Sequence, residues 1–249
     1  MPRSAILRCV ILRDLADATL VVTQSDHARL AADLLALVRL PGLADHPRRA
    51  ELLAAVAAHD NGWWEPDAAP RVDPGTGRAL DFLAIAPDLR LEIWRRGVER
   101  FAAERPYESA LVAAHFLRLT SARSDDPALG AARAELERRR DELLDAAGRP
   151  APELAADAGW LALADDLSLA ACAADAAFVR QPGWRAEIAP DGAAVELRLD
   201  PFPLAGASRL PLRARRIRRG HWSGDAELGR ALAAARWEEL PVRLAPLAG

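Results

Sequence analysis

Residues 25–40, SDHARLAADLLALVRL, decide the expected fold, because their apolar side chains recur at the spacings of three and four that a helix requires. A Ser or Asp at the start is suited to cap this helix, and Pro41–Gly42 ends it. A second helical pattern, RRAELLAAVAAHD at 48–60, stops at Asn61–Gly62. The centre of the chain is therefore predicted to be helical. Further helical patterns lie at 87–104, 106–121, 126–147 and 153–178.

Short β patterns lie on either side of this helical core. The runs AILRCVIL and TLVVT are joined by a turn-like segment and predict a hairpin. Near the C-terminus, WRAEIAP, AAVELRLDPF and RLPLRARRI alternate apolar with polar residues and predict strands. We therefore expect a mainly α fold, in effect all-α, with small β elements from both termini. The expected organisation is one domain, 1–249, with a hairpin at 5–23, a helical core at 25–178, strands at 184–218 and a terminal helix at 224–239.

The composition is that of a globular protein, with 51% of its 249 residues hydrophobic and 28% charged. A net charge of −3 gives no reason to expect a nucleic acid or an anionic membrane as partner. No apolar run approaches the roughly 20 residues of a membrane span. Two distant cysteines, Cys9 and Cys172, fit a reducing compartment better than a disulfide framework. We therefore expect a soluble, cytoplasmic protein; a small-molecule substrate is expected only from the candidate site described below.

Four side chains with metal-binding chemistry occur at distinctive places in this pattern. His27 lies early in the first helix, the His59–Asp60 pair ends the second, and Asp165 lies on a late apolar helix in LALADDLSL. An imidazole with carboxylates suits Fe, Mn, Zn or Ni better than Ca or Mg. These residues therefore predict a site for one or two divalent metal ions.

The strings SDHARLA, AAHDNGWW and LADDLSL have an order that resembles the HD superfamily of metal-dependent phosphohydrolases. The resemblance covers about 25–170 and implies an HD-like helical bundle. Asp166, beside Asp165, stays open as an alternative ligand. The strings TQSDHARLA, AAHDNGWW, DPGTGRALDF and DDLSLAAC are also similar, over nearly the whole chain, to an uncharacterised bacterial family of unknown function, which implies no reaction. The metal ligands that the HD resemblance implies are His27, His59, Asp60 and Asp165.

A histidine on an intermediate helix is the further metal candidate. His115 lies in ALVAAHFLRL, and some HD-type proteins with two metals, including diiron oxygenases and nucleotide phosphodiesterases, place extra histidines on such helices. His115 is therefore either a second-metal ligand with a catalytic role or a core histidine. Asp60 is the expected bridging and catalytic carboxylate. His46, in the DHPRR turn, is expected to be exposed, and His221 lies outside the matched region.

The candidate substrate-binding residues lie near the His–Asp pair in sequence. Many HD phosphohydrolases have a lysine shortly after His–Asp–x–Gly, whereas this chain has Trp63 and Trp64, which either pack or form an aromatic mouth. Arg29 and Arg78 are among the nearest guanidinium groups that can bind an anion. The arginine run RARRIRR at 213–219 is expected to be a solvated strand face, with anion binding as the alternative. The expected substrate-binding set is Trp63, Trp64, Asn61, Arg29 and Arg78.

Three functions are compatible with these residues. The first is a metal-dependent hydrolase of HD-like type acting on a phosphate ester or a related small molecule, in which the ion lowers the pKa of a bound water towards neutrality. The second is a non-haem iron or diiron oxygenase on the same scaffold. The third is a non-catalytic binding or regulatory module with a structural or degenerate metal site, which a closed coordination sphere would favour.

Overall fold

The chain folds as helices packed on one large curled sheet. A computed structural model describes residues 10–68, 70–120 and 127–248. The helices are α1 (Gln24–Leu37), α2 (Arg49–Ala57), α3 (Trp64–Ala68), α4 (Pro87–Glu99), α5 (Pro106–Thr120), α6 (Pro127–Ala146), α7 (Ala151–Ala173) and α8 (Asp225–Ala234). The strands are β1 (Ile11–Asp14), β2 (Ala18–Val22), β3 (Arg185–Asp191), β4 (Ala194–Asp200), β5 (Ser208–Arg218) and β6 (Trp237–Pro246).

One mixed sheet, rather than small β elements, organises both ends of the chain. Within the described residues, six strands form it in the order β1-β2-β5-β6-β4-β3. Neighbouring strands are antiparallel except β4 and β6, which are parallel. Because strands hold 22% of the residues beside 50% in helices, the prediction of a mainly α, HD-like bundle with small β elements is wrong, and so is the description all-α.

The C-terminal segment accounts for this error. The sequence predicts a helix over 224–239, but α8 ends at Ala234 and the chain continues as β6. Strand β6 pairs with β5, and β5 pairs in turn with β2 of the N-terminal hairpin. Pairing between residues almost 200 positions apart therefore joins two segments that the sequence pattern presents as separate appendages.

The helices between 25 and 178 occur where the periodicity predicts them, as α1, α2, α4, α5, α6 and α7. Strands β1 and β2 form an antiparallel hairpin, while residues 5–9 of the predicted hairpin lie outside the described residues.

Within the described parts of the chain, we find no helix with the length and apolar character that crossing a membrane requires.

Strand β2 is buried on both faces of the sheet. Leu20 and Val22 pack into the main core with the helices, whereas Val21, between them, packs with Leu228 of α8. This alternation is the period-two pattern of a strand. Helix α7 lies between the sheet and the other helices, so every residue from 161 to 172 is buried. Polar side chains on this part of α7 are therefore held in the protein interior.

Candidate metal centre

Five side chains with metal-ligand chemistry meet in the interior, where helices α1, α5 and α7 approach the turn that follows α2. Helix α7 packs against α1, α2 and α5, which brings residues far apart in sequence into one cluster. All five side chains are buried. They are His27 on α1, His59 and Asp60 in the turn after α2, His115 on α5 and Asp165 on α7.

Local backbone features fix the positions of His27 and of the turn that carries His59 and Asp60. Thr23 caps α1, because its Oγ1 accepts a hydrogen bond from the backbone N–H of Asp26 at 3.0 Å, and His27 follows in the first turn. The turn after His59 and Asp60 lies directly against α4. A Cβ on Gly62 would lie 2.2 Å from the carbonyl oxygen of Ile93, so only glycine permits this approach.

The ring nitrogens and carboxylate oxygens converge on a small volume. His27 Nε2 lies 3.2 Å from Asp165 Oδ1 and 3.7 Å from Asp60 Oδ2. His59 Nε2 lies 3.5 Å from each of the same two oxygens. Two nitrogens and two oxygens from three separate elements therefore face a common centre.

Hydrogen bonds on the far side of each ring set the tautomers. His59 Nδ1 lies 2.7 Å from the carbonyl oxygen of Val56, which accepts only from an N–H. Ser168 Oγ donates to the Asp165 carbonyl oxygen at 3.0 Å, so it accepts from His27 Nδ1 at 2.9 Å. In a neutral imidazole this leaves the lone pair on Nε2, which is the arrangement found behind metal-binding histidines.

A positive charge at the centre of the cluster would be favourable. The Nε2 atoms of His27 and His59 are buried and have no hydrogen-bond partner among the described residues. The lone pairs of neutral Nε2 atoms and the carboxylate oxygens that they face repel one another. In addition, a buried polar atom without a hydrogen-bond partner lowers the stability of the folded protein by about 1–3 kcal/mol. A metal ion or a proton relieves both problems, and the nitrogen and oxygen donors fit a divalent ion.

The electrostatics of the cluster favour a proton at this position. Burial alone would lower the pKa of His59, but the negative charges of Asp60 and Asp165 outweigh it and raise this pKa to about 9. Burial would raise the pKa of Asp165, but electrostatic interactions with the neighbouring histidines His115, His27 and His59 hold this pKa well below the usual range. Burial raises the pKa of Asp60 against the opposing effect of the histidines.

The neighbouring aspartates of α7 have different surroundings. Asp165 accepts from Arg118 at 2.5 Å through Oδ2, which leaves Oδ1 directed at the histidines. Asp166 accepts from Arg180 at 2.6 Å and from Gln181 at 3.1 Å. The structure thus places Asp165, and not Asp166, in the cluster.

His115 lies beside the four ligands. Its ring centroid is 4.9 Å from that of His59, and its Nδ1 is buried without a hydrogen-bond partner among the described residues. Burial, above all, lowers the pKa of His115 well below the ordinary value, so the ring is neutral near pH 7. His115, His59 and Asp165 form a second potential ligand group, which shares only His59 with the first group of His27, His59 and Asp60.

A cavity of about 230 Å³ opens onto the cluster. Asp60, His115 and Asp165 contribute to its lining. The rest of the wall is largely apolar, with two arginines. The aromatic and cationic members of that wall are Trp63, Phe82, Trp94, Phe178, Arg90 and Arg180.

The structure brings only part of the predicted substrate-binding set to this cavity. Trp63 lines it, whereas Trp64 is 43% exposed and is covered by Arg100 on the protein surface. Arg29 is exposed on a separate groove, and Arg78 pairs with Asp14 at 2.6 Å. The remaining predicted residue, Asn61, is buried near Gly97 of α4 and does not line the cavity.

Several residues near the site were missed by the sequence analysis. Ser168 and Arg118 each lie three positions after a cluster residue on the same helix, a spacing that places both side chains on one face. That signal could have found them. His46, predicted to be exposed, is instead largely buried and contacts Asp157 at 2.9 Å, away from the cluster. Arg180, which lines the cavity, lies beyond the end of α7, so no helical spacing links it to a cluster residue.

Comparison with protein families gives one match, over residues 10–218, to the family described as "Protein of unknown function (DUF3891)". The match covers every side chain of the cluster. Neither the comparison with curated proteins nor the comparison with solved structures found a match.

Proposed function

The chain belongs to DUF3891, a family of unknown function, and from the chemistry of its buried cluster we propose that it is a metal-dependent hydrolase of small molecules, with a phosphate ester as the favoured substrate. The observation that carries this proposal is the convergence of two unpartnered Nε2 atoms and two carboxylate oxygens on one centre.

One divalent ion, Fe, Mn, Zn or Ni, would be held by His27, His59, Asp60 and Asp165. Each imidazole has a single nitrogen left for a ligand bond, so His59 cannot bind two ions at once. His115 therefore completes the same site or acts on the substrate. When bound, such an ion supplies Lewis-acid chemistry that makes water nucleophilic near neutral pH. The order of these ligands along the chain resembles that of HD phosphohydrolases, which supports the reaction class but not their fold.

The residues of the cavity define how a substrate would be held. A volume of about 230 Å³ admits a small molecule and excludes a polymer. Trp63 and Trp94 would cover an apolar part of the substrate and exclude water, while Arg90 would supply positive charge for an anionic group, since Arg180 is already paired with Asp166. The neutral His115 offers an unprotonated nitrogen that can accept a hydrogen bond from the attacking water.

A non-haem iron oxygenase is the second candidate. Two histidines and a carboxylate are the ligand types of such enzymes, and the apolar aromatic wall of the cavity suits dioxygen chemistry. A non-catalytic module with a structural metal would need a site closed to water and ligands, whereas this cluster opens onto a cavity.

The test is a hydrolysis assay on protein loaded separately with Mn²⁺, Zn²⁺ and Fe²⁺, using 4-nitrophenyl phosphate and bis(4-nitrophenyl) phosphate. We expect turnover that EDTA abolishes and that falls to background in Asp165→Asn. The matched control, Asp145→Asn, changes an exposed aspartate on α6 and should retain full activity.

Equal rates in the wild type and Asp165→Asn with every metal would refute a hydrolase acting through this cluster. If the Fe²⁺ protein shows no hydrolysis but binds nitric oxide, with a high-spin EPR signal that Asp165→Asn lacks, the oxygenase becomes the better assignment.

A further inference from the structure

A second and larger concavity lies away from the metal centre. This groove, of about 1020 Å³, is formed by residues of α1, α3, α8 and strands β2, β5 and β6, and it shares no lining residue with the cavity over the cluster. Residues that are neighbours in sequence line different ones of these two concavities. Trp63 lines the cavity and Trp64 the groove, while Gln24 lines the cavity and Asp26 the groove. The groove is therefore a separate feature and not an entrance to the cluster.

Two tryptophans give the groove aromatic surface. Trp64 and Trp237 are 43% and 41% exposed, and they are two of the three large hydrophobic residues that are exposed in the described parts of the chain. A scattered apolar residue on a surface needs no explanation, but two indole rings in one concavity do. Exposed indoles in a concavity provide flat surfaces on which a planar ring can stack.

The groove is also positively charged. Arg29, Arg71, Arg213 and Arg215 line it against three aspartates, and two of these arginines are already neutralised. Arg71 pairs with Asp225 at 2.7 Å, and Arg213 lies 3.7 Å from Asp26.

The remaining two arginines, Arg29 and Arg215, form no ion pair within the described residues. The Arg215 guanidinium lies 4.2 Å from the centre of the Trp237 ring, and its Nε is buried with no hydrogen-bond partner in the described structure. Aromatic and cationic groups are therefore adjacent at one end of the groove, which is the arrangement that recognises an anion attached to a planar ring.

Two arginines of the run at 213–219, Arg213 and Arg215, line the groove. Strand β5 alternates, so Leu212 and Ala214 enter the core while Arg213 and Arg215 face the groove. A solvated strand face would direct these arginines to open water, whereas here both lie against Trp237 inside a concavity.

We propose that this groove binds a planar aromatic anion of the size of a mononucleotide, with its ring against Trp237 and its anionic group on Arg29 and Arg215. The site is distinct from the metal centre and does not depend on the proposed hydrolase activity.

The test is isothermal titration calorimetry of the full chain in EDTA, with AMP, adenosine and ribose 5-phosphate as probes. We expect saturable binding of AMP, and binding at least about 10-fold weaker for adenosine, which lacks the anion, and for ribose 5-phosphate, which lacks the ring. Arg215→Ala and Trp237→Leu should each weaken AMP binding about 10-fold or more.

One matched control keeps the result interpretable. Arg209→Ala removes an exposed arginine from the same strand, outside the groove, and should bind AMP normally. Arg29→Ala, on an exposed helix position, replaces Arg215→Ala if that variant does not fold. The proposal is overturned if AMP gives no saturable binding, if ribose 5-phosphate binds as well as AMP, or if the groove variants bind like Arg209→Ala.

Discussion

Metal uptake by the cluster should depend steeply on pH, because the ion has to displace the proton from His59. The carboxylates of Asp60 and Asp165 raise the pKa of His59 to about 9 despite its burial. As the pH falls from 9 to 7, each unit lowers the apparent metal affinity about 10-fold. The affinity at pH 7 should therefore be about 100-fold below that at pH 9, which corresponds to about 3 kcal/mol of binding free energy.

The same proton stabilises the metal-free protein. A pKa raised from 6.5 in the unfolded chain to about 9 contributes stability that is fully present below about pH 6.5 and is lost as the pH rises through about 9. The loss corresponds to about 3 kcal/mol. Chemical denaturation of the EDTA-treated protein at a series of pH values measures it, and bound metal should reverse the trend.

The assay for uptake is calorimetric titration of the full chain with Mn²⁺ across this pH range, in buffers of different ionisation enthalpy. Those buffers report the number of protons released, which should be about one at pH 7 and should fall towards zero above pH 9. His221→Gln, an exposed histidine outside the cluster, should leave the profile unchanged. An affinity that stays level between pH 7 and pH 9, with no proton released, would refute the reasoning.

Three substitutions test other parts of the account. Gly62→Ala should destabilise the protein by about 3 kcal/mol in urea denaturation, because the new Cβ meets the backbone carbonyl of Ile93 at 2.2 Å. Tyr107→Phe should lower the free energy of unfolding by about 1.5–3 kcal/mol, since it removes the 2.6 Å hydrogen bond to buried Asp157, and it should leave metal affinity unchanged. Arg118→Met should weaken metal binding about 10–100-fold in competition with a chelator, because the ligand carboxylate on α7 loses the group that orients it.

Matched variants control these predictions. Gly159→Ala adds a methyl group on α7 where no atom lies within 4 Å, so it should be neutral or slightly stabilising. Arg95→Met removes an arginine from an exposed ion pair with Glu135 and should not change metal affinity. Equal effects of Gly62→Ala and Gly159→Ala, or of Arg118→Met and Arg95→Met, would contradict the contacts on which the predictions rest.

Local pattern was enough to predict the helices but not the sheet. Helical periodicity is a property of neighbouring residues, so α1 and α7 could be read directly from SDHARLAADLLALVRL and from the apolar run around LALADDLSL. Strand β6 is different, because WEELPVRLAP becomes a strand through pairing with β5 on one side and β4 on the other. That context is absent from the ten residues themselves.

The candidate site was likewise predicted only in part from the sequence. The structure brings together His27, His59 and Asp165, whose residue types and spacing single them out in the sequence. Distance along the chain, by contrast, was a poor guide to the residues that line the cavity. Trp64 follows Trp63 directly but faces the groove, because successive residues leave a turn in different directions.

The central claim is that the buried cluster holds a divalent metal ion. The most direct measurement is elemental analysis of protein purified without chelator or added metal, beside the double variant His59→Ala/Asp60→Ala. We expect about one Fe, Mn, Zn or Ni per chain in the wild type and none in the variant. A native protein that contains no metal, and takes up none on reconstitution at the pH of highest affinity, would contradict this claim.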